Sequence, residues 1–388
     1  MAIKRVRLFG LSSYIPDAPF LSTEDFIKKY GANNGNFVYS YALSQILDIS
    51  PIAISWNERS KDKFSEVDIL VMTLANQLGP HTDLLKAAEF LSEINLPVVG
   101  VGLGIQYPYN LLKKSITPSD ISDGTWQWFN QITEHSKEGV PNISLRGNST
   151  YDLLTKVNKQ NHCVVTGCPS NFINPSVNLG EEISKKEIPE NPRFAVSAGN
   201  PVRPQFNLIE KSLINLINAS DGLYICQNPE IMIRLSRQDL NNVSKEDFLS
   251  AKKFISPELT DEDFIKWFKF KSYIFSSVPE WIDTLKHFDV VVGTRIHGTM
   301  TGIQAGIPSL CICIDLRTLE LCQIMHIPHI DSRNCMNGVS KEDIINTLKN
   351  WDWKKYDSTR KELANKLLKL FQDNDITVAD YFKKITEQ

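Results

Sequence analysis

VVVGTRIHGTMTGIQAGIPSLCICI, residues 290–314, holds the pattern from which the rest of the chain can be read. The apolar run 290–292 ends at Gly293, and Thr294, Arg295 and His297 fall within the next four positions. Gly298 and Thr299 open a small-residue stretch with helical spacing, which Gly306, Ile307 and Pro308 terminate. A second apolar run, 309–314, stops at Asp315, and Arg317 follows. Strand, polar loop, helix, strand is the β-α-β unit of a parallel sheet. Its polar residues fall where strands deliver the chain to their carboxyl edge, the edge at which open α/β sheets bind ligands.

The same alternation runs through the chain. A strand at 6–10 is followed by a long polar stretch, the turn GANNGN at 31–36 and a helix over 37–47. A Gly/Asn turn before a helix can present backbone N–H groups to an anion or a sugar, or simply cap the helix. It does not match the GxGxxG dinucleotide pattern. Strands at 67–73 and 96–101 flank a helix at 84–91, and the second runs into Gly102-Leu103-Gly104-Ile105-Gln106, where glycines let a ligand approach the backbone closely. In ISLRGNST, 143–150, a strand ends at Arg146 beside a helix start, a placement that suits a phosphate or carboxylate, or a surface ion pair. A strand at 163–166 ends in Gly167-Cys168-Pro169-Ser170. The charged, proline-bearing segment 181–192 reads as a linker. Beyond it come strands at 193–198 and 223–226 around a helix at 208–217, with Arg203 a less favoured candidate past a strand end. Residues 244–271 read as helices outside the sheet, 318–325 and 340–348 as helices, 327–330 as a short strand, and 356–385 as tail helices broken near Asp373. The expected organisation is α/β: a Rossmann-like domain over 1–185, a second over 186–340, and helices over 341–388 that pack back on the first.

With 388 residues, 42% hydrophobic and 22% charged, the chain has room for two cores and the composition of a folded protein. A net charge of −3 gives no global reason to bind nucleic acid. No apolar run approaches a membrane span, and MAIKRVRLFG is too poor in apolar residues for a secretory leader, so the cytoplasm is the expected location. Seven cysteines without repeated spacing argue against a disulfide framework. Cys311 and Cys313 share a strand face but have no matching pair in the sequence, and no metal site is expected.

Neighbouring parallel strands lie about 4.8 Å apart, so the loops carrying Thr294, Arg295, His297, Asp315 and Arg317 can face one ligand. Two arginines and the N–H groups of a helix start suit an anion with planar oxygens. Histidine moves a proton near neutrality, and Asp315 is placed to orient or tune it. A capping or core histidine is the alternative for His297; its position between Arg295 and Gly298 favours ligand contact. The residues alone therefore describe an anion-handling transferase of two α/β domains with a cleft, the anion unnamed.

VGTRIHGTMTGIQAGIPSLCI with the following DLRTLEL, supported by SLRGNSTYDLL, TGCPS and GANNGN in the same order along the chain, resembles the polysaccharide pyruvyl transferase family. The resemblance implies a GT-B-like fold, two Rossmann-like domains with parallel sheets facing a central cleft. It implies transfer of a pyruvyl group from phosphoenolpyruvate to two hydroxyls of a cell-surface saccharide or its precursor, forming a cyclic ketal and releasing phosphate. No cofactor is implied beyond phosphoenolpyruvate as co-substrate. Arg295, Arg317, Gly298 and Thr299 would hold the donor, with Arg146 across the cleft. His297 would be the acid or the phosphate's partner, and Asp315 or a first-domain acid the base. Asn33, Asn34, Asn36, Gly104 and Gln106 would meet the acceptor, and Tyr107 or Tyr109 could stack on a sugar. Many relatives carry Tyr-Asp-x-Lys after the second strand; Ile314-Asp315-Leu316-Arg317 keeps the cation without the tyrosine. A lipid-linked acceptor would bring peripheral contact at the inner face of the membrane, and a homo-oligomer is left open. Two rival readings are a GT-B glycosyltransferase with a nucleotide-sugar donor and a non-catalytic saccharide-binding protein.

Overall fold

Among the described residues, twelve short strands build two parallel sheets. In the first, β1 (Val6–Gly10), β2 (Ile54–Ser55), β3 (Ile69–Thr73), β4 (Val98–Leu103), β5 (Ile143–Leu145) and β6 (Cys163–Val165) run in the order β2-β1-β3-β4-β5-β6. In the second, β7 (Phe194–Ser197), β8 (Leu223–Ile225), β9 (Ser272–Tyr273), β10 (Val290–Gly293), β11 (Ser309–Cys313) and β12 (His329–Asp331) run β12-β11-β10-β7-β8-β9. The computed structural model describes residues 4–30, 33–106, 116–199 and 203–387. Each order reverses once, between β1 and β3 and between β7 and β10, the topology of Rossmann-like sheets. Two such sheets facing a common cleft make a GT-B-like fold.

Near-continuous apolar strands such as β3 and β10 are buried on both faces, as parallel strands flanked by helices must be. On one face of the first sheet Phe9, Leu70, Met72 and Val98 pack with Phe90 and Leu91 of the helix Leu85–Ser92 and with Phe129 and Ile132 of Asp123–Glu134. On the other, Leu8, Ile69, Val71 and Val99 share a core with the helix Gly35–Leu47 and the C-terminal helix Trp353–Asp373. That core continues without a break into Val196, Val292, Leu310 and Ile312 of the second sheet.

Three departures from the sequence reading have plain causes. The stretch read as polar after β1 contains the helix Thr23–Tyr30, whose Phe26 and Tyr30, one turn apart, are buried. They pack with Ala195, Ile225 and Val291, so an early segment helps to cover the second sheet. The segment read as a linker begins inside the helix Leu179–Ser184, where Leu179 and Ile183 form a buried stripe despite the charged composition. Asp357 of the tail accepts from Gly180 N at 2.7 Å and Glu181 N at 2.9 Å, capping that helix from outside. The edge strands β2 and β9, two residues each, are too short to show a period.

The tail is tied to the first half. Arg360, 1% exposed, donates from Nε to Asn171 O at 2.8 Å, from Nη1 to Ser176 O at 2.5 Å and from Nη2 to Asn174 O. Ala379 N donates to Ile46 O at 2.7 Å, and Asp375 pairs with Lys4 at 2.8 Å and Lys137 at 2.6 Å. No described helix is long and apolar enough to cross a membrane.

Candidate active site

Where the order of the second sheet reverses, the loops leaving β7 and β10 diverge and open a crevice. A cavity of about 170 Å³ lies there, closed from the other side by loops of the first sheet. Its walls are Asn33, Asn36, Ala75, Asn76, Gln106 and Arg146 from the first half, and Arg203, Gln227, Asn228, Thr294, Arg295, His297, Asp315, Arg317 and Thr318 from the second. Four guanidinium groups therefore face one carboxylate.

Backbone carbonyls position two of the arginines, Arg295 and Arg146. Arg295 caps β10 and donates from Nη2 to Gly199 O at 2.7 Å, while Gly199 N donates to Glu210 Oε2 at 3.2 Å. Glu210 is itself held by the Tyr224 hydroxyl. Burial pushes Arg295 down to about 10, and Arg203 and Arg317 act in the same direction against Glu210. Arg146, 3% exposed, reaches Leu74 O at 3.3 Å with its guanidinium 5.2 Å from the Tyr39 ring centre. Arg317 Nη2 lies 3.5 Å from Asp315 Oδ2. The Nε groups of Arg146, Arg295 and Arg317 are all buried and find no hydrogen-bond partner among the described residues. A buried unpaired N–H on a cation is costly, and three of them on residues that line one cavity from both sides fit an anion with several oxygens.

His297 sits in the first turn of the helix Ile296–Gln304, 7% exposed, with Nε2 3.7 Å from Cys168 Sγ and its ring 5.6 Å from that of Tyr39. Burial, then the charges of Arg146 and Arg317, hold its pKa well below the ordinary histidine value, so the imidazole is neutral near pH 7. Asp315 is the N-cap of the helix Leu316–Ile324: its Oδ1 accepts from Thr318 N at 2.7 Å and from Thr318 Oγ1 at 2.6 Å. Burial would raise its pKa, but Arg317, Thr318 and Arg203 outweigh that and keep it below the ordinary carboxylate range. Asp315 is thus a committed anion turned to Thr318 and Arg317, and Cys168 is the imidazole's neighbour where Asp315 was expected. Among the described residues no first-half carboxylate lines the cavity, so the alternative base is not found there.

Of the residues singled out in the sequence, Asn33, Asn36, Gln106, Arg146, Arg295, His297, Asp315 and Arg317 come together on this cavity. Four do not line it. Asn34 instead donates from Nδ2 to Phe275 O at 2.9 Å, bridging the two halves. Gly104 lies behind Arg146, whose Cδ would be 3.3 Å from an added Cβ. Gly298 is pressed on β7: a Cβ there would come within 1.9 Å of Ser197 Oγ. Thr299 is buried and donates to Leu310 O at 3.4 Å. Tyr107 and Tyr109 lie outside the described residues.

Asn76, Gln227 and Asn228 were overlooked, although each follows a buried strand and the strand-end rule that found Arg146 could have found them. Cys168, Tyr39 and Glu210 act on the site from behind its wall; Tyr39 and Glu210 left no local signal, and Cys168, though in the strand-end segment Gly167-Cys168-Pro169-Ser170, was given no role. The thiols of Cys311 and Cys313 do have a partner: Cys322, one helix later, brings all three sulfurs within 4.8 Å of one another. Sequence spacing missed it because the third thiol comes from a helix folded over the strand.

A family model described as polysaccharide pyruvyl transferase matches residues 14–314. Among solved structures, the chain is similar to UDP-N-acetylglucosamine 2-epimerase from Rickettsia bellii, with 12% identity, 97% of each chain covered and a TM-score of 0.42. It is similar to UDP-GlcNAc 2-epimerase from Methanocaldococcus jannaschii, with 13% identity, 93% of this chain and 98% of that one covered, and a TM-score of 0.41. A variant of the wall teichoic acid polymerase TagF gives 13% identity, 99% and 90% coverage and a TM-score of 0.39. No curated protein matches the chain.

Proposed function

The chain belongs to the polysaccharide pyruvyl transferase family, and from that premise we propose that it moves the pyruvyl group of phosphoenolpyruvate onto two hydroxyls of a saccharide, forming a cyclic ketal and releasing phosphate. The observation that carries this reading is the set of three buried guanidinium Nε groups, without partners among the described residues, on the lining of one small cavity. Phosphoenolpyruvate brings a phosphate and a carboxylate, enough oxygens and negative charge to engage Arg146, Arg295 and Arg317 together.

In this reading C3 of the enol takes a proton, and C2 becomes electrophilic. One sugar hydroxyl bonds to C2 and loses its proton, the bond from C2 to the phosphate oxygen breaks, and the second hydroxyl closes the ketal as it loses its own. His297 is the proton carrier. Before donor binds it is neutral and able to accept a hydroxyl proton. The negative charge of the donor offsets Arg146 and Arg317 and raises the basicity of the imidazole, which lets it hold a proton for C3 or the departing phosphate. Asp315 fixes Arg317 and the helix start, and takes no proton at neutral pH.

The test is saccharide-dependent phosphate release from phosphoenolpyruvate, with the ketal identified in the product by mass spectrometry. His297→Gln should bind donor and lose turnover by about 10²-fold or more; near-normal turnover in that variant overturns its role. Arg295→Ala should weaken donor binding by about 2–5 kcal/mol, measured by titration calorimetry, because it removes one partner of a buried charge pair. Binding of a nucleotide sugar with no phosphate release from phosphoenolpyruvate would favour a glycosyltransferase instead.

A further inference from the structure

A second cavity, of about 520 Å³, opens at the ends of β2 and β3 in the first half and shares the wall residue Asn76 with the first. Cavities of about 300–1,000 Å³ are the usual size for a small organic ligand. The arginine-lined cavity, at about 170 Å³, is smaller than that range, so a saccharide presenting two hydroxyls to His297 must extend out of it.

The walls of the second cavity differ in kind from those of the first. Trp56 lines it, half-buried, with its ring backed by Phe9 at 5.0 Å between centres. Trp128 lines it as well; it is 1% exposed, and its indole N–H finds no hydrogen-bond partner among the described residues. Asn57, His81 and Asp83 add amide, imidazole and carboxylate groups. Arg59 Nη1 is committed to Trp56 O at 2.7 Å and Glu58 O at 2.8 Å, and Lys86 is a second cation on the lining, set against Asp83. The accessible indole of Trp56 beside donors and acceptors of both signs matches a pyranose, which has an apolar C–H face and a rim of hydroxyls.

We propose that this cavity is the saccharide subsite, holding the pyranose ring next to the one whose hydroxyls face His297. The assignment rests on the pyruvyl-transfer reading for which ring reacts, whereas the binding itself can be measured without turnover.

Ligand-observed NMR with methyl galactoside, methyl mannoside, lactose and cellobiose tests it on the full chain, with phosphoenolpyruvate binding followed separately by calorimetry. At least one of these sugars should bind the wild type. Trp56→Ala should weaken that binding by about tenfold and leave phosphoenolpyruvate affinity within about twofold. Because Trp56 also packs on Phe9, the double variant Asn57→Ala/His81→Ala, at two exposed positions, provides a second reading and should weaken sugar binding in the same direction. If none of the sugars binds, or if the variants leave binding unchanged, the subsite is overturned. Sugar binding that depends on Trp56 in a protein that does not bind phosphoenolpyruvate would uphold the subsite and sink the pyruvyl-transfer reading.

Discussion

Arg146 and His297 come from different halves of the chain, and their coupling is electrostatic: the guanidinium helps to keep the imidazole neutral. Since kcat/KM reports the free enzyme, the acid limb due to His297 should lie below the ordinary histidine value of about 6.5. Arg146→Gln removes a positive neighbour, so the folded pKa rises and the limb moves to higher pH. A pH profile of kcat/KM for phosphoenolpyruvate checks this, and an unmoved limb would contradict the coupling. Arg295 and His297 were legible in the sequence because both sit at the end of one strand, where residue type and position point the same way. Cys168 and Glu210 were not, because they reach the site only through contacts made across the fold.

At the scale of elements, the helix Ile296–Gln304 is close to β7 because residue 298 has no side chain. Gly298→Ala would drive a Cβ into Ser197 and should cost about 3 kcal/mol, the upper part of the overpacking range. It should also displace His297, so thermal stability and turnover should fall together. The tail helix Trp353–Asp373 depends in a different way on Arg360. Its guanidinium binds three backbone carbonyls of the segment that leads out of the first sheet. Arg360→Ala leaves the buried Asn171 carbonyl and the part-buried Asn174 and Ser176 carbonyls without that donor, and a loss of about 1–3 kcal/mol is expected in denaturant unfolding. The buried strands were legible as apolar runs ending in glycine or polar residues. Short pieces were not: β2 and β9 offer two residues each, and the helix Thr23–Tyr30 shows only one turn of apolar spacing.

For the molecule as a whole, sequence showed two α/β halves but could not show how they share a core. Strand order is set by long-range pairing, and the segments that cover each sheet come from distant parts of the chain. Phe26 and Tyr30 lie against the second sheet, and Leu367, Leu370 and Phe371 against the first. With one core running through both sheets, calorimetry should record a single cooperative transition; two well-separated ones would show that the halves melt independently. The return of the tail also bears on how the protein is made. Phe172 meets Phe382 at 5.5 Å between ring centres, and Ile46 O is satisfied by Ala379 N. On a ribosome, the half that emerges first must wait for the helices Trp353–Asp373 and Asp380–Glu387 before one of its faces is covered. Until those residues emerge the nascent first sheet presents an apolar surface of the kind chaperones bind, and the docking of these two helices is the event that closes it.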